Sequence, residues 1–368
     1  MQRPSLVAAA LSVAALSVAG TSTAATAAAP DRGARSVVSQ GLLSPLSVAV
    51  RTNGTAYIAQ NFGGTLTEKK PGKKPTLVFQ SKVTEQGANE VGAVSVRNGV
   101  VTFAVSTISG GGVLKHATKV DGKWKITTFA DVGAYEKAHN PDAEVSYAFQ
   151  GISDECAAQV PADFGPATYT GIVETHPYAT ATQGSDTYLA DAAGNSILEI
   201  AADGTISTVS VLPAVPVEIT SDLATAFGFP DCTIGLTYNF EPVPTDVEVD
   251  DKGMLLVSSL PGGPEDGSAG AHGAVYRVNP QSGHATLVAG GLVSATGVAE
   301  AANGDVYVSQ MFLGQVSRIP AGSHEAVPYR SVPLPSALEV VGDHLYATVN
   351  VLPGENEPPN GKLVRWDL

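Results

Sequence analysis

The chain has 368 residues, with 35 acidic and 21 basic side chains and a formal net charge of −14. An acidic surface repels phosphate backbones, so we expect no nucleic-acid partner. Aromatic residues make up only 6% of the chain, whereas glycine numbers 39 and proline 24, which favours many short strands with tight turns over long helices.

The first 27 residues have the features of a secretion signal. Arg3 precedes an apolar run from Leu6 to Ala19 and the A-x-A pattern Ala25-Thr26-Ala27, which is typical of a Sec-type signal peptide cleaved after residue 27. Cleavage after residue 29 also fits the pattern. The apolar run is too short to span a bilayer and no second one follows, so we expect a secreted chain without membrane insertion. Residues 28–35 are then a flexible N-terminus.

A strand-forming phrase recurs six times, with an Asn-Gly or Asp-Gly type of turn and a second strand after most copies. Its spacing of about 40–50 residues is typical of propeller blades with four strands each. The sequence therefore predicts an all-β fold, a six-bladed β-propeller over residues 36–368. The six first strands are Pro45–Val50, Val91–Val96, Pro177–Thr180, Pro244–Val249, Ala295–Ala299 and Pro335–Val340.

The last repeat lacks an outer strand, because the chain ends shortly after Leu363–Trp366. Ser36–Gln40, just before the first repeat, resembles the outer strand Ala285–Ala289. We predict that this N-terminal strand closes the last blade, which removes the free edges that an open ring of sheets exposes.

Two segments exceed the repeat, residues 132–175 and 214–243, and each contains one of the two cysteines, Cys156 and Cys232. In an oxidising compartment an isolated pair is typical of one disulfide. Both insertions are expected at the same end of the propeller channel, where the bridge would join them. Long loops on a rigid scaffold often carry function, although a rim that only covers the channel is the alternative.

Standard catalytic motifs such as G-x-S-x-G, H-E-x-x-H and the P-loop are absent, so the candidate site rests on position. Polar side chains follow the second strands, where they would surround the channel mouth. Convergent polar groups mark a binding site, but each could instead cap the backbone of a neighbouring blade. These residues are Gln60, Asp191, Gln310 and Asn350.

Three further titratable residues belong to the same mouth. Asp246 is the one carboxylate at the third position of the phrase, while Glu90 and His176 precede the second and third first strands. Glu90, Asp191 and Asp246 together could hold Ca²⁺ through oxygen ligands. The alternative for Asp246 is a structural carboxylate satisfied by hydrogen bonds.

Three phrases resemble the ScyD/ScyE family of exported proteins and, more distantly, NHL, strictosidine-synthase and SMP-30/gluconolactonase propellers. They are His176–Tyr178 leading into residues 187–213, Val243–Val249 and Gly273–Val278. The resemblance covers nearly the whole mature chain and implies a propeller, but the family has no settled activity. Gluconolactonases carry a Glu in the first inner strand, where this chain has Leu43-Ser44-Pro45-Leu46, which weakens a lactonase assignment.

Two functions follow from these patterns. The first is a monomeric binding or scaffold propeller whose partner is a small molecule or a protein. The alternative is a calcium-dependent lactonase, hydrolase or lyase of the gluconolactonase or strictosidine-synthase type, in which the bound ion polarises a carbonyl group.

Overall fold

The computed structural model describes residues 35–85, 87–107, 110–265, 267–354 and 357–368. The expected signal peptide, residues 1–27, and the segment 28–34 lie outside them. Within the described residues the fold is almost all β, with strands in eight small antiparallel sheets and three short α-helices. No helix in this part of the chain is long and apolar enough to cross a membrane.

The strands and helices follow one another in a repeating order. The N-terminal strand and first sheet are β1 Ser36–Leu42, β2 Ser47–Val50, β3 Ala56–Gln60, β4 Thr65–Lys69 and β5 Thr76–Gln80. A short hairpin and the second sheet are β6 Val83–Thr84, β7 Gly87–Ala88, β8 Glu90–Arg97, β9 Val100–Ser106, β10 Gly112–Val120 and β11 Lys123–Asp131. The first insertion contains α1 Val132–His139, β12 Ser146–Phe149, α2 Asp154–Ala157 and β13 Thr168–Thr170.

The second half of the chain continues in the same way. The third sheet is β14 Pro177–Gln183, β15 Asp186–Asp191, β16 Ser196–Ile200 and β17 Ile206–Val211, and the second insertion contains β18 Val215–Glu218, α3 Ser221–Phe227 and β19 Thr237–Phe240. The fourth and fifth sheets are β20 Pro244–Val249, β21 Leu255–Ser259, β22 Gly273–Val278, β23 Ala285–Leu292, β24 Ala295–Glu300, β25 Val306–Gln310, β26 Gln315–Ile319 and β27 Val327–Ser331. The last strands are β28 Leu338–Val341, β29 His344–Val349 and β30 Gly361–Asp367.

Six of the sheets are four-stranded meanders. In five of them the strands pair in chain order, as in β2-β3-β4-β5. In the sixth, β28, β29 and β30 pair in order and β1 adds to the edge of β30, with Ser36 opposite Arg365 and Leu42 opposite Gly361. One sheet therefore contains strands from both ends of the described chain.

Several hairpin turns contain an Asx residue followed by glycine, as the sequence indicates. In the turn between β16 and β17, Gly204 has a φ of +88° and the Asp203 side chain accepts the backbone N–H of Thr205 at 2.9 Å. A β-carbon at Gly204 would lie 2.6 Å from a backbone oxygen of Phe129. Only glycine meets both the left-handed conformation and this close approach without strain.

Six buried clusters each combine side chains from two neighbouring sheets, so the main core lies between the sheets. Five of these clusters lie between successive sheets, from the first pair to the pair of the fifth and sixth. The remaining cluster joins the sixth sheet to the first and includes Ile58, Tyr346 and Leu363. The first strands follow the same order: each contacts the next, and β2 contacts β28. Small buried side chains such as Ala93 and Ala179 let these strands approach.

The two insertions form a sheet of their own, which the sequence did not predict. Its strand order is β13-β12-β19-β18, so strands from both insertions pair with each other. Phe149, Ile219 and Phe229 form its small core. The predicted bridge between Cys156 and Cys232 is confirmed, with Cα atoms 5.9 Å apart, and it joins α2 to the short 3-10 helix Asp231–Thr233.

Candidate functional site

The first strands of the six sheets surround a narrow central cavity of about 20 Å³. Five first strands each contribute a residue to its wall, and β20 contributes Glu248 as well. The five residues are Ser47, Val94, Tyr178, Asp246 and Thr296. Two of these residues, Tyr178 and Asp246, lie near the end where the first strands begin, which we call the channel mouth.

An ion pair lies at the mouth. Glu90 opens β8 and His176 directly precedes β14; their side chains meet at 3.1 Å between Oε2 and Nε2, and they are 20% and 19% exposed. The other Glu90 oxygen accepts a hydrogen bond of 2.8 Å from the Asn61 amide. Asn61 in turn lies under Gly92, where an added β-carbon would be 2.8 Å from its nitrogen, so the bulge of β8 packs directly onto it.

The contact between Glu90 and His176 favours the charged form of both side chains. Glu90 stays ionised to a lower pH, and His176 stays protonated to a higher pH, than either would without its partner. Burial acts to raise the pKa of Glu90, but the charge and hydrogen bond of His176 and the Asn61 amide lower it overall. Burial likewise acts to lower the pKa of His176, and the Glu90 carboxylate outweighs it and raises the pKa. An opposite charge at hydrogen-bonding distance has this effect on both partners.

Tyr178 lies beside the pair, its ring edge-on to His176 with centroids 5.9 Å apart. Burial, followed by the nearby carboxylates of Glu90, Glu265 and Asp246, raises the pKa of Tyr178 well above its usual value. The phenol therefore stays protonated, and it also makes a side-chain hydrogen bond with Ser336. Burial also raises the pKa of Glu265 to about 7.

Asp246 joins two neighbouring first strands. One oxygen accepts the backbone N–H of Val247 at 2.9 Å and the other accepts that of Val298, in β24, at 2.8 Å. Burial raises the pKa of Asp246 to about 7, although both backbone hydrogen bonds oppose the shift. The carboxylate is thus a structural link whose charge is only partly developed at neutral pH, consistent with the structural alternative from the sequence.

The polar residues after the second strands brace their own sheets. The Gln60 side chain accepts the backbone N–H of Leu43 at 2.8 Å, and Gln310 accepts that of Val293 at 2.7 Å. Each side chain accepts a hydrogen bond from the segment that leads into the first strand of its own sheet. The capping alternative from the sequence had assumed a hydrogen bond to the backbone of a neighbouring sheet. Their amide groups donate to Thr65 and Ser317, so both side chains are occupied.

Asn350, the fourth residue of that predicted ring, differs from the others. Its backbone is left-handed, with a φ of 53°, and its N–H donates to the carbonyl oxygen of Pro333 at 2.9 Å. At this position the backbone N–H, and not the side chain, forms the hydrogen bond to the segment before the first strand. A ligand-binding role for Gln60, Gln310 and Asn350 stays a prediction.

Asp191 is fully buried and has three protein donors. Its Oδ1 accepts the backbone N–H groups of His176 at 2.6 Å and Gly194 at 3.3 Å, and its Oδ2 accepts the Thr175 hydroxyl at 2.5 Å. Burial raises the pKa of Asp191, and these hydrogen bonds act against that shift. Asp191 therefore positions the segment that carries His176.

Glu90, Asp191 and Asp246 do not fit a shared calcium ion. Glu90 pairs with His176 and Asn61, while Asp191 and Asp246 accept backbone N–H groups of different segments. Across the residues that the structure describes, no three His, Cys, Asp or Glu side chains converge as a metal-binding group. We derive no chemical step through a metal at this mouth.

Two further carboxylates face the channel axis and were missed in the sequence. Glu248 and Glu339 occupy the fifth position of the strand phrase, where other repeats have Ala49, Ser95 or Ala299. That contrast was a usable signal. Burial, with Glu339 and Asp246 nearby, raises the pKa of Glu248 well above its usual value, and burial raises that of Glu339 to about 8.

These two carboxylates also line a larger cavity at the opposite end of the first strands. It has a volume of about 470 Å³ and includes Asp250, Asp251 and Glu300 in its wall. Carboxylates predominate at this far end, but Lys252 also lines the cavity and Arg277 forms ion pairs with Asp250 and Glu300.

Comparison with known proteins supports the fold. No protein-family model matches the chain, and no curated protein matches it. Among solved structures, the chain is similar to the PQQ-bound aldose sugar dehydrogenase from Streptomyces coelicolor, with 13% identity, a TM-score of 0.56, and coverage of 92% of this chain and 99% of that one.

Two other solved structures show a similar likeness. A putative glucose dehydrogenase from Thermus thermophilus has 14% identity, a TM-score of 0.58 and coverage of 90% of this chain and 99% of that one. Virginiamycin B lyase from Staphylococcus aureus has 12% identity, a TM-score of 0.50 and coverage of 91% and 98%. The chain therefore has a β-propeller-like fold, and at such identities the likeness concerns the fold alone.

Proposed function

We propose that the protein is an exported six-bladed β-propeller, closed by β1 in the last blade, that binds a small molecule at the channel mouth. The cycle of contacts among the six first strands and the pairing of β1 with β30 support the blade number and the closure. The disulfide between the insertions is compatible with an oxidising compartment.

The partly exposed pair of Glu90 and His176 beside Tyr178 is the observation that carries the binding proposal. A charged imidazole and a protonated phenol place hydrogen-bonding groups at one opening, and convergent polar groups are typical of ligand sites. Asp246 and Glu265 lie close to Tyr178, and the chain carries a net charge of −14. These charges disfavour anions, so the ligand class is a neutral or cationic molecule with hydrogen-bonding groups.

A second candidate is an enzyme of the hydrolase or lyase type. It is favoured by one observation, the Glu90 carboxylate that holds the His176 imidazole, because a histidine oriented by a carboxylate is a common proton carrier in catalysis. The structural neighbours include a lyase and sugar dehydrogenases, so the fold is compatible with catalysis. In this reading His176 moves a proton at the mouth and no metal is involved.

Ligand-observed NMR with a library of small hydroxylated and amine compounds tests the site. We expect binders of the wild-type chain whose signal is lost in His176→Ala and Tyr178→Phe. The matched control is Glu144→Gln, an exposed carboxylate in the first insertion, which should keep them. Binders that persist in both mouth variants would overturn the proposal.

Turnover separates the two candidates. Glucono-1,5-lactone, followed by acid release at constant pH, is a suitable probe for the hydrolase candidate. Hydrolysis that disappears in His176→Ala with the fold intact favours the enzyme. Binding without turnover favours the scaffold.

A further inference from the structure

A second group of carboxylates lies buried where the first insertion packs against the end of β15. Glu136 on α1 and Asp142 just after it are each 1% exposed, and Asp191 at the end of β15 is fully buried. The mouth uses Asp191 only to position His176. Glu136 and Asp142 have no role in the site described above.

The hydrogen-bond partners of this group are incomplete. Asp142 Oδ2 accepts the Tyr147 hydroxyl at 3.0 Å and the Asn195 amide at 2.9 Å, but its Oδ1 has no partner. Neither oxygen of Glu136 has a hydrogen bond of full geometry, although the backbone of Glu174 acts weakly on this carboxylate, and the amide oxygen of Asn140 has no donor. Four buried acceptor oxygens therefore lack a well-placed donor.

The residues that carry these oxygens lie near one another in the fold. Asn140 caps the C-terminus of α1, its N–H donating to the carbonyl oxygen of Glu136 at 2.8 Å. A β-carbon at Gly194 would lie 3.2 Å from Glu136 Oε2 and 3.3 Å from the Asp191 carboxyl carbon. Glu136 and Asp191 thus pack against the same glycine of the loop between β15 and β16, and Asn195 in that loop bonds to Asp142.

Among the described residues, the only cation acting on this group is the imidazole of His176, beside Asp191. Among the ion pairs within the described residues, none joins Glu136, Asp142 or Asp191 to a lysine or arginine. Burial, and then the charges of Asp191 and Asp142, raise the pKa of Glu136 to about 8, and the Glu174 backbone offsets this only in part. Buried carboxylates without partners are costly and are usually paired or bound to a metal.

We propose that Glu136 and Asp142, with the amide oxygen of Asn140, bind a calcium ion between α1 and the loop of residues 191–196. The free donor atoms are all oxygens, which suit a hard cation, whereas zinc sites use nitrogen and sulfur. Asp191 contributes charge only, because protein donors occupy both its oxygens. Two carboxylates and one amide provide fewer oxygens than a calcium ion requires. Backbone carbonyl oxygens and water would complete its coordination shell.

The ion would tie the first insertion to the loop that holds Asp191, and through Asp191 to the segment of His176. Calcium binding is then expected to stabilise the folded chain and to order the mouth. The competing account is a proton on Glu136, which compensates the charge without any metal.

Thermal unfolding of the full mature chain in calcium and in EGTA, with equilibrium dialysis, distinguishes the two accounts. We expect one calcium per chain and, at about 100 times Kd, a rise in Tm of about 5 °C. Glu136→Gln and Asp142→Asn should each weaken calcium binding at least about tenfold. Glu136→Gln in EGTA should unfold no earlier than the wild type in EGTA, since it removes an unpaired buried charge.

Glu144→Gln, an exposed carboxylate in the same segment, is the control and should bind calcium as the wild type does. Magnesium at the same concentration should give a smaller shift, because it demands a more regular octahedral shell. Absence of a calcium response in the wild type would overturn the proposal in favour of the proton. So would a full response in both Glu136→Gln and Asp142→Asn.

Discussion

Asp191 accepts the backbone N–H of His176 at 2.6 Å. The fully buried carboxylate at the end of β15 therefore fixes the residue that directly precedes β14. Both residues were expected at the mouth from the sequence, but the structure gives them different roles. His176 is partly exposed and paired with Glu90, whereas Asp191 lies beneath it. Asp191 is therefore a positioning residue.

Replacement of Asp191 tests that assignment. Asp191→Ala leaves two backbone N–H groups and the Thr175 hydroxyl without an acceptor, and we expect a loss of about 2–4 kcal/mol in unfolding free energy. Denaturant unfolding measures it, with Asp222→Ala, an exposed helical aspartate, as the control. In the folded variant the NMR-detected pKa of His176 should also fall, because one carboxylate that raises it is gone. An unchanged His176 pKa would contradict the assignment.

Stability should depend on pH through the axial carboxylates. The pKa values of Asp246 and Glu339 are raised to about 7 and about 8, so the folded chain binds more protons than the unfolded chain between about pH 4.5 and 8. Stability is then lost as the pH rises through this window. Thermal unfolding should therefore give a higher Tm at pH 5.5 than at pH 8.5.

Glu339→Gln removes part of that effect. We expect it to raise the unfolding free energy by roughly 1 kcal/mol at pH 8.5 and to change it little at pH 5.5. Glu325→Gln, an exposed glutamate, should leave the pH profile unchanged. A Tm for Glu339→Gln that falls at pH 8.5 would show that its carboxylate is needed in the ionised form.

The disulfide should stabilise the sheet formed by the insertions. Cys156 and Cys232 are separated by 76 residues, and closing a loop of that length in the unfolded chain is worth about 4–5 kcal/mol in the chain-entropy account. The double variant Cys156→Ser and Cys232→Ser should unfold earlier and be cleaved first within the insertions under limited proteolysis. First cleavage outside them would mean that the bridge does not stabilise this sheet locally.

Deletion of β1 tests the closure of the last blade. Removing Ser36–Leu42 exposes the edge of β30 and the buried residues Leu42 packs against, including Leu363. We expect a loss of at least about 4 kcal/mol or a failure to fold. Deleting only residues 28–35 should leave the melting curve unchanged. A wild-type melting curve for the β1 deletion would contradict the closure.

The strands of the sheets were readable from the sequence because their signals are local. The strand Pro244–Val249 has the expected bounds and Ala295–Glu300 is one residue longer than expected, since alternation and Asx-Gly turns act over a few residues. The sheet of the insertions was not readable, because β12 and β19 are far apart in sequence and nothing local encodes their pairing.

The candidate site was predicted only in part for a similar reason. The sequence singled out polar residues after the second strands, but whether Gln60 faces a ligand or braces Leu43 depends on contacts 17 residues away. Nothing in the sequence marks Tyr178 as a site residue, because an aromatic residue in a strand is typical of a half-buried sheet surface. The free oxygens of Glu136 become visible only when α1 is placed against Gly194.

The central claim is that ligands bind where Glu90, His176 and Tyr178 meet. Crystals of the mature chain soaked with a library of small hydroxylated and amine compounds test it most directly. The account predicts bound compounds within hydrogen-bonding distance of His176 or Tyr178. Compounds bound only in the acidic cavity lined by Glu248 and Glu339, with none at the mouth, would contradict it.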